Sequence, residues 1–202
     1  MPTKTFEHLK PQKKQRIVEA ALAEFSRHDY EHVNIQNIIK DAQISRGSFY
    51  QYFQDLDDLF DYLVIVIRTE KMQYFENHGI LSDHAPLFDR IGEIYRLGYQ
   101  FALDHPLIFQ AGRHMVATMS HQQNHVTEES DKALKAYFES AMKEDIERGN
   151  IREDVDIEIL NQILSDFLNE LLKSHYVEQR LTQDEVDQRF KRFITLLKKG
   201  IA

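Results

Sequence analysis

Arg46, Gly47, Ser48, Tyr50 and Tyr52 all fall within the ten residues ISRGSFYQYF, positions 44–53. Together they supply a guanidinium, three hydroxyls and a glycine, with Phe49 and Phe53 set among them. An arginine can pair through two parallel N–H donors with a guanine edge, and serine and tyrosine hydroxyls suit phosphate oxygens. A glycine between them lets the backbone come close to a bound duplex. In a helix Phe49 and Phe53 share one face at i, i+4, and the polar groups need not share it. The chemistry this segment can perform is therefore recognition of an anion by a short helix packed on its other side. Catalysis has no comparable support: there is no nucleotide-binding loop, nucleophile elbow or metalloprotease motif. The paired carboxylates of the chain suit capping or solvated faces, so no enzyme activity is expected.

The elements that must hold this segment follow from apolar spacing. Ile17, Val18, Ala21, Leu22 and Phe25 recur at three and four residues, predicting an amphipathic helix over Lys13 to His28. Asn34 suits the N-cap of a second, short helix carrying Ile35, Ile38, Ile39 and Ala42. Gln43 and Ile44 make a tight connection, and Ser45 caps a third helix from Arg46 to about Tyr52. Asp55 and Asp58 resemble a capping box that opens a long helix through Leu59, Leu63, Val66 and Ile67 to about Phe75. Helix, short helix, tight turn, short helix is the layout of a helix-turn-helix in a three-helix head. Phe49 and Phe53 then anchor the third helix, and Arg46, Ser48, Tyr50 and Tyr52 are available to DNA.

Net charge is −8, but it is unevenly spread. Residues 1–53 carry eight Lys/Arg against six Asp/Glu, whereas the remainder carries 17 against 27. An anion-facing head on an acidic body fits this asymmetry. The basic start, MPTKTFEHLKPQKKQR, is read as a solvated tail, with a groove-reading arm as the alternative. It has no apolar core of the signal-peptide kind, and the longest apolar run, YLVIVI at 62–67, is too short to span a bilayer. With no cysteine there is no disulfide or thiolate metal site. A cytoplasmic protein without membrane contact is the expectation. His121 and His125 stand at i, i+4 as a conceivable metal pair, but nothing around them supports a site; no metal and no cofactor are expected.

The rest of the chain is also expected to be helical. Pro106 restricts His105 and opens a new helix, and Gly149 stops the one that ends near it. Two further helices, from about Asp156 to Val177 and from Thr182 to Lys199, carry broad apolar stripes. The first includes Leu160, Leu164, Phe167 and Leu171, the second Phe190, Ile194 and Leu197. One domain can bury both stripes internally. Alternatively two copies pair these helices into a four-helix bundle, giving a homodimer whose two heads read a palindromic site.

The chain resembles the TetR family of bacterial transcriptional regulators, most densely over RIVEAALAEFSRHDYEHVNIQNIIKDAQISRGSFYQYFQDLDDLF, residues 16–60. The most specific element is ISRGSFYQYF. GNIREDVDIE at 149–158 and DHP at 104–106 are similar to stretches found in the family's body. The resemblance implies an all-α fold: a helix-turn-helix head over residues 1–53 and a helical effector-binding and dimerisation body over 54–202. It implies a homodimeric repressor of double-stranded DNA, released from its operator by a small molecule. By position it places Asn34 and Gln36 against the DNA backbone, and Ser45, Arg46, Gly47 and Ser48 at base edges and phosphates. Tyr50 and Tyr52 would fix register through phosphates.

Three positions depart from the family's pattern. Gln43 stands where a turn glycine is usual, so a left-handed conformation there costs on the order of 1 kcal/mol. Asp29 likewise replaces a usual glycine, and Leu56 replaces a usual phosphate-contacting lysine among Asp55, Asp57 and Asp58. Weaker DNA affinity follows, partly restored by Lys10, Lys13 and Lys14. A helical ligand-binding dimer that has weakened or lost DNA binding is the alternative function. For the effector, the body supplies Tyr95, Phe101, Phe109, His114, Met115, Phe138, Met142 and Phe167. That lining suits an apolar or amphipathic ligand, although core residues follow the same spacing.

Overall fold

The computed structural model describes residues 2–79, 85–119, 125–172, 174 and 180–201. Among these every regular element is helical. In chain order they are α1 (Lys4–Glu7), α2 (Pro11–Phe25), a 3-10 turn (Tyr30–His32), α3 (Ile35–Asp41), α4 (Arg46–Tyr52), α5 (Leu56–Asn77) and α6 (Leu87–Asp104). There follow α7 (Pro106–Met119), α8 (His125–Glu147), α9 (Ile157–Leu172) and α10 (Gln183–Ile201). The chain packs as two compact units, Met1–His78 with Gly98–Thr127, and Gly79–Leu97 with Glu128–Ala202. The expected division after residue 53 is not where packing divides. The unit that holds the helix-turn-helix also takes in α5, the end of α6 and α7.

The first unit is built around one apolar cluster. Ile17, Ala21 and Phe25 of α2, Ile38 of α3, and Phe49 and Phe53 at α4 are all sealed from solvent, with Leu59 and Leu63 of α5. Ala111 and Met115 of α7 join the same cluster. The end of α6 is held to α5 by Tyr74, whose hydroxyl donates to Asp104 at 2.6 Å and whose ring meets Phe101 edge-on at 5.4 Å.

In this unit the N-terminal segment is not a solvated tail. Thr3 caps α1, and Phe6 is 1 % exposed, packed against Tyr52, Phe53 and Tyr62 with ring centroids 4.9–5.9 Å apart. The amphipathic spacing of α2 gave no sign of this, because the partner of its neighbouring surface comes from a four-residue helix too short to show a period.

In the second unit the start of α6 (Leu87, Phe88, Ile91) packs with Phe138, Ala141 and Met142 of α8, Leu160, Leu164 and Leu171 of α9, and Val186 and Phe190 of α10. Fully buried Asp145 of α8 accepts the Leu87 N–H at 2.6 Å, giving the first turn of α6 an acceptor it otherwise lacks. Its second oxygen accepts from the Asn150 side chain at 3.1 Å. Helix α8 ends as Gly149 predicts: at φ +74 it donates to Ile146 at 3.0 Å while Asn150 donates to the Asp145 carbonyl at 2.8 Å. That pair of bonds is the Schellman closure.

The two apolar stripes are used within this unit. Leu160, Leu164, Leu171 and Phe190 are buried in one chain, and Phe167, Ile194 and Leu197 pack against the same cluster, Phe167 stacked on Phe193 at 3.6 Å. The first four cannot be the surface a second copy covers, which corrects that expectation. An apolar stripe wide enough for two faces does not say which face turns inward. The outward apolar residues are Ile159 (58 % exposed), Ile163 (44 %) and Leu196 (70 %).

Candidate nucleic-acid interface

Each helix of the motif starts on a local hydrogen bond that the residue types demand. Asn34 Oδ1 accepts the Gln36 N–H at 2.9 Å, and Ser45 Oγ accepts the Ser48 N–H at 3.0 Å. Asp55 accepts the Asp58 N–H at 2.9 Å as the N-cap of α5, and the Asp58 carboxylate accepts the Gln54 N–H at 3.0 Å, one residue outward of the reciprocal bond of a capping box.

The turn between α3 and α4 is a second Schellman closure. Ile44 donates to the Ile39 carbonyl and Gln43 to the Lys40 carbonyl, each at 3.1 Å, with Gln43 at φ 52. Gln43 thus takes the left-handed conformation at the expected steric cost. Asp29 does not: its φ is −68, and its carboxylate pairs with His32, whose proximity holds the Asp29 carboxyl below its ordinary value.

Two side chains fix α3 against α2. Arg16 Nε donates to the Ala42 carbonyl at 2.8 Å, pinning the turn. Glu24, 2 % exposed, accepts the Asn34 N–H at 2.9 Å and the Asn37 side-chain amide at 3.1 Å. Sequence spacing missed Glu24, which sits on the buried face of α2 as if it were apolar. Its signal was that placement: a carboxylate on an inward face needs donors from a neighbouring segment.

Helix α4 sorts its side chains by face. Phe49 is fully buried and Phe53 follows it at the C-cap, also fully buried. Arg46 and Gly47 are exposed, Tyr50 is 47 % exposed and Ser48 half-buried. The Arg46 guanidinium lies 5.9 Å from the Tyr50 ring centroid, and the Ser45 and Ser48 hydroxyls meet at 2.9 Å. Asn34, Gln36 and Ser45 are likewise exposed. A side chain at Gly47 would touch only Ser45 Oγ, at 3.9 Å. The fold therefore has no packing use for a glycine that costs a helix about 1 kcal/mol relative to alanine.

Tyr52 departs from the expected outward placement. Its ring is 4 % exposed, facing Phe6, because it lies three residues beyond Phe49 and α1 covers that side. Lys13 approaches the same ring at 5.5 Å and Lys14 the Phe6 ring at 5.8 Å.

The acids after α4 have structural partners. Asp55 and Asp58 hold the start of α5, and Asp57 accepts the Tyr30 hydroxyl, whose pKa burial and that carboxylate push above its ordinary value. Leu56, in place of a cation, packs against the apolar cluster.

The eight proposed effector contacts are not gathered in one unit. Phe101, Phe109, His114 and Met115 belong to the first and Tyr95, Phe138, Met142 and Phe167 to the second. Met115, Phe138 and Met142 are buried core residues, and Tyr95 stacks on Phe190 at 4.4 Å with its hydroxyl donating to Asp187 at 2.6 Å. Helical spacing marks apolar side chains without distinguishing a lining from a core. Of the histidine pair, His121 lies outside the described residues. Among those that are described, no group of three or more His, Asp or Glu is placed to hold a metal ion.

Residues 17–63, the span of this motif, match the family of bacterial regulatory proteins, tetR family. Over those residues the chain carries the helix-turn-helix DNA-binding domain of tetR-type transcriptional regulators. An HTH-type transcriptional regulator of Bacillus subtilis (strain 168), YhgD, is 23 % identical over 143 residues, 69 % of this chain and 72 % of that one. Among solved structures, a TetR family transcriptional regulator from Chloroflexus aurantiacus is similar at TM-score 0.67 and 24 % identity, covering 100 % of this chain and 98 % of the other. The regulator FadR from Bacillus subtilis, in complex with stearoyl-CoA, is similar at TM-score 0.71 and 16 % identity, over 93 % and 99 %. These likenesses extend the shared fold over the length of the chain. No described helix is long and apolar enough to cross a membrane.

Proposed function

We propose that this protein is a cytoplasmic, homodimeric repressor of the TetR family that binds a palindromic operator through α4 and is released by a small-molecule effector. The observation that carries the reading is the outward face of α4. Arg46, a glycine without an internal packing role, Ser48 and Tyr50 lie together there while Phe49 and Phe53 fix the helix from behind. Arg46 reads a base edge, Gly47 admits the backbone, and Ser45, Ser48 and Tyr50 hold phosphates, with Asn34 and Gln36 at the start of α3. Tyr52 serves from inside, by positioning.

Ile159, Ile163 and Leu196 form the apolar face that a second copy covers. For the effector, FadR's stearoyl-CoA sets a precedent for an amphipathic ligand on this fold. Support within the chain comes from buried polar atoms of the second unit that have no hydrogen-bond partner: both amide atoms of Asn161 and Gln183 Oε1. These are neutral groups, so they suit an uncharged polar end on an apolar body. The protein acts by binding and carries out no catalysis.

Selection of duplexes from a random DNA pool tests the reading. An enriched palindrome is the expected result, and Arg46→Ala should then weaken its binding by about 1–3 kcal/mol and relax one base position. No enrichment from folded, dimeric protein would favour a ligand-binding dimer with lost DNA binding, the reading to which Leu56 lends itself.

A further inference from the structure

We infer that the N-terminal segment Thr3–Leu9 is a clasp that positions the C-terminal end of the recognition helix, and that operator affinity depends on it. The inference rests on the DNA-binding reading above. Helix α4 has seven residues, so most of its carbonyls lie within the last turn, where no later N–H of the same helix reaches them. Two of these are taken by one residue of the clasp. The Thr3 hydroxyl donates to the Gln51 carbonyl at 2.6 Å, and the Thr3 N–H donates to the Tyr52 carbonyl at 2.9 Å. The same Thr3 caps α1, which turns Phe6 into the core beside Tyr52 and Phe53.

Helix α1 therefore grips α4 at both levels, its backbone end and its inner aromatic face. Tyr50 and the exposed Gln51 lie within one turn of the gripped carbonyls, so a loosened clasp moves them relative to Arg46 at the other end. Lys13 is drawn into the same assembly through the Tyr52 ring. A short helix reads bases only if both of its ends are fixed. Ser45 and the Schellman turn fix the first end, and the Thr3 bonds with the buried Phe53 hold the second.

The test compares Thr3→Val, Thr3→Ser, Phe6→Ala and Phe6→Leu with wild type on the duplex that wild type selects, well below every melting temperature. A scrambled duplex is measured alongside. Thr3→Val, which deletes the bond to the Gln51 carbonyl and the α1 cap on the Phe6 N–H, should weaken the selected duplex about three- to tenfold. Phe6→Ala should weaken it at least as much, Thr3→Ser should restore wild-type binding, and Phe6→Leu should restore part. Binding to the scrambled duplex should not change, because phosphate attraction survives a small shift of α4. Equal affinity of folded Thr3→Val and Phe6→Ala for the selected duplex overturns the inference, as does an equal loss on both duplexes. If Phe6→Ala does not fold, the two Thr3 variants decide it. If wild type selects no duplex, the repressor reading fails while amide exchange at Phe53 still tests the clasp: faster exchange in Thr3→Val supports it and unchanged exchange refutes it.

Discussion

Replacing Glu24 by alanine should destabilise the helix-turn-helix by about 2–3 kcal/mol. The carboxylate accepts the Asn34 N–H and the Asn37 amide at 2.9 and 3.1 Å, and a hydrogen bond to a charged group contributes about 1.5–3 kcal/mol. Two such bonds set a gross loss of about 3–6 kcal/mol. Part of this is recovered, because Asn34 and Asn37 are exposed enough for water to replace the acceptor. Deleting a carboxylate that is 2 % exposed also removes its own desolvation penalty. Glu24→Gln should lose less than half as much: Oε1 can still accept both the Asn34 N–H and the Asn37 amide, and only the longer Asn37 contact with Oε2 becomes a confrontation of two amide nitrogens.

The assay is amide exchange at Asn37 and Ile38, whose N–H groups both donate to the Asn34 carbonyl, referenced to buried amides of α2. Exchange reports the free energy of opening α3 itself rather than of the whole chain. If Glu24→Ala changes that free energy by less than about 0.5 kcal/mol, the size of an ordinary surface substitution, Glu24 does not anchor α3.

Gln43→Gly should stabilise the head by about 0.5–1 kcal/mol, since it relieves a left-handed residue while loosening the unfolded chain; a lower denaturation midpoint would contradict this. Ile163→Arg should convert a dimer to a monomer in sedimentation velocity, and an unchanged species would remove α9's outward face from the interface. Burial first, then the Arg113 guanidinium, hold the His114 imidazole below its ordinary value of 6.5, with Asp29 opposing. The unfolded chain takes up that proton at higher pH than the folded one, so the stabilisation is complete above 6.5 and is lost as pH falls through the folded value. His114→Gln should flatten that fall in pH-dependent melting, and an unaltered profile would clear His114 of the effect.

What was legible in the chain is what is decided locally. Asn34, Ser45 and Asp55 each satisfy an amide two or three residues away, so their caps can be read from spacing alone. The left-handed Gln43 follows from a tight turn between two short helices, and Pro106 and Gly149 end helices by their own backbone restrictions. What was not legible depends on a partner from elsewhere in the chain. Tyr52 looks like a surface tyrosine until Phe6 covers it, and Phe6 belongs to a helix of one turn. Glu24 looks solvated until Asn34 and Asn37 arrive to share it. On α9 the apolar residues encircle so much of the helix that Leu160 and Ile159, adjacent in sequence, fall on opposite sides of the burial boundary.

The acids at 55, 57 and 58 have a consequence for anyone wishing to strengthen this regulator's hold on DNA. The obvious alteration, exchanging negative charge for neutral or positive at the edge of the reading helix, is closed at all three positions. Asp55 and Asp58 start α5, and Asp57 fastens Tyr30. Each added attraction would come with a looser scaffold beneath it. Affinity in this head is thus insulated from gradual change by charge reversal there, and a tighter variant must come from Lys40, Gln51 or other exposed positions that the fold leaves uncommitted.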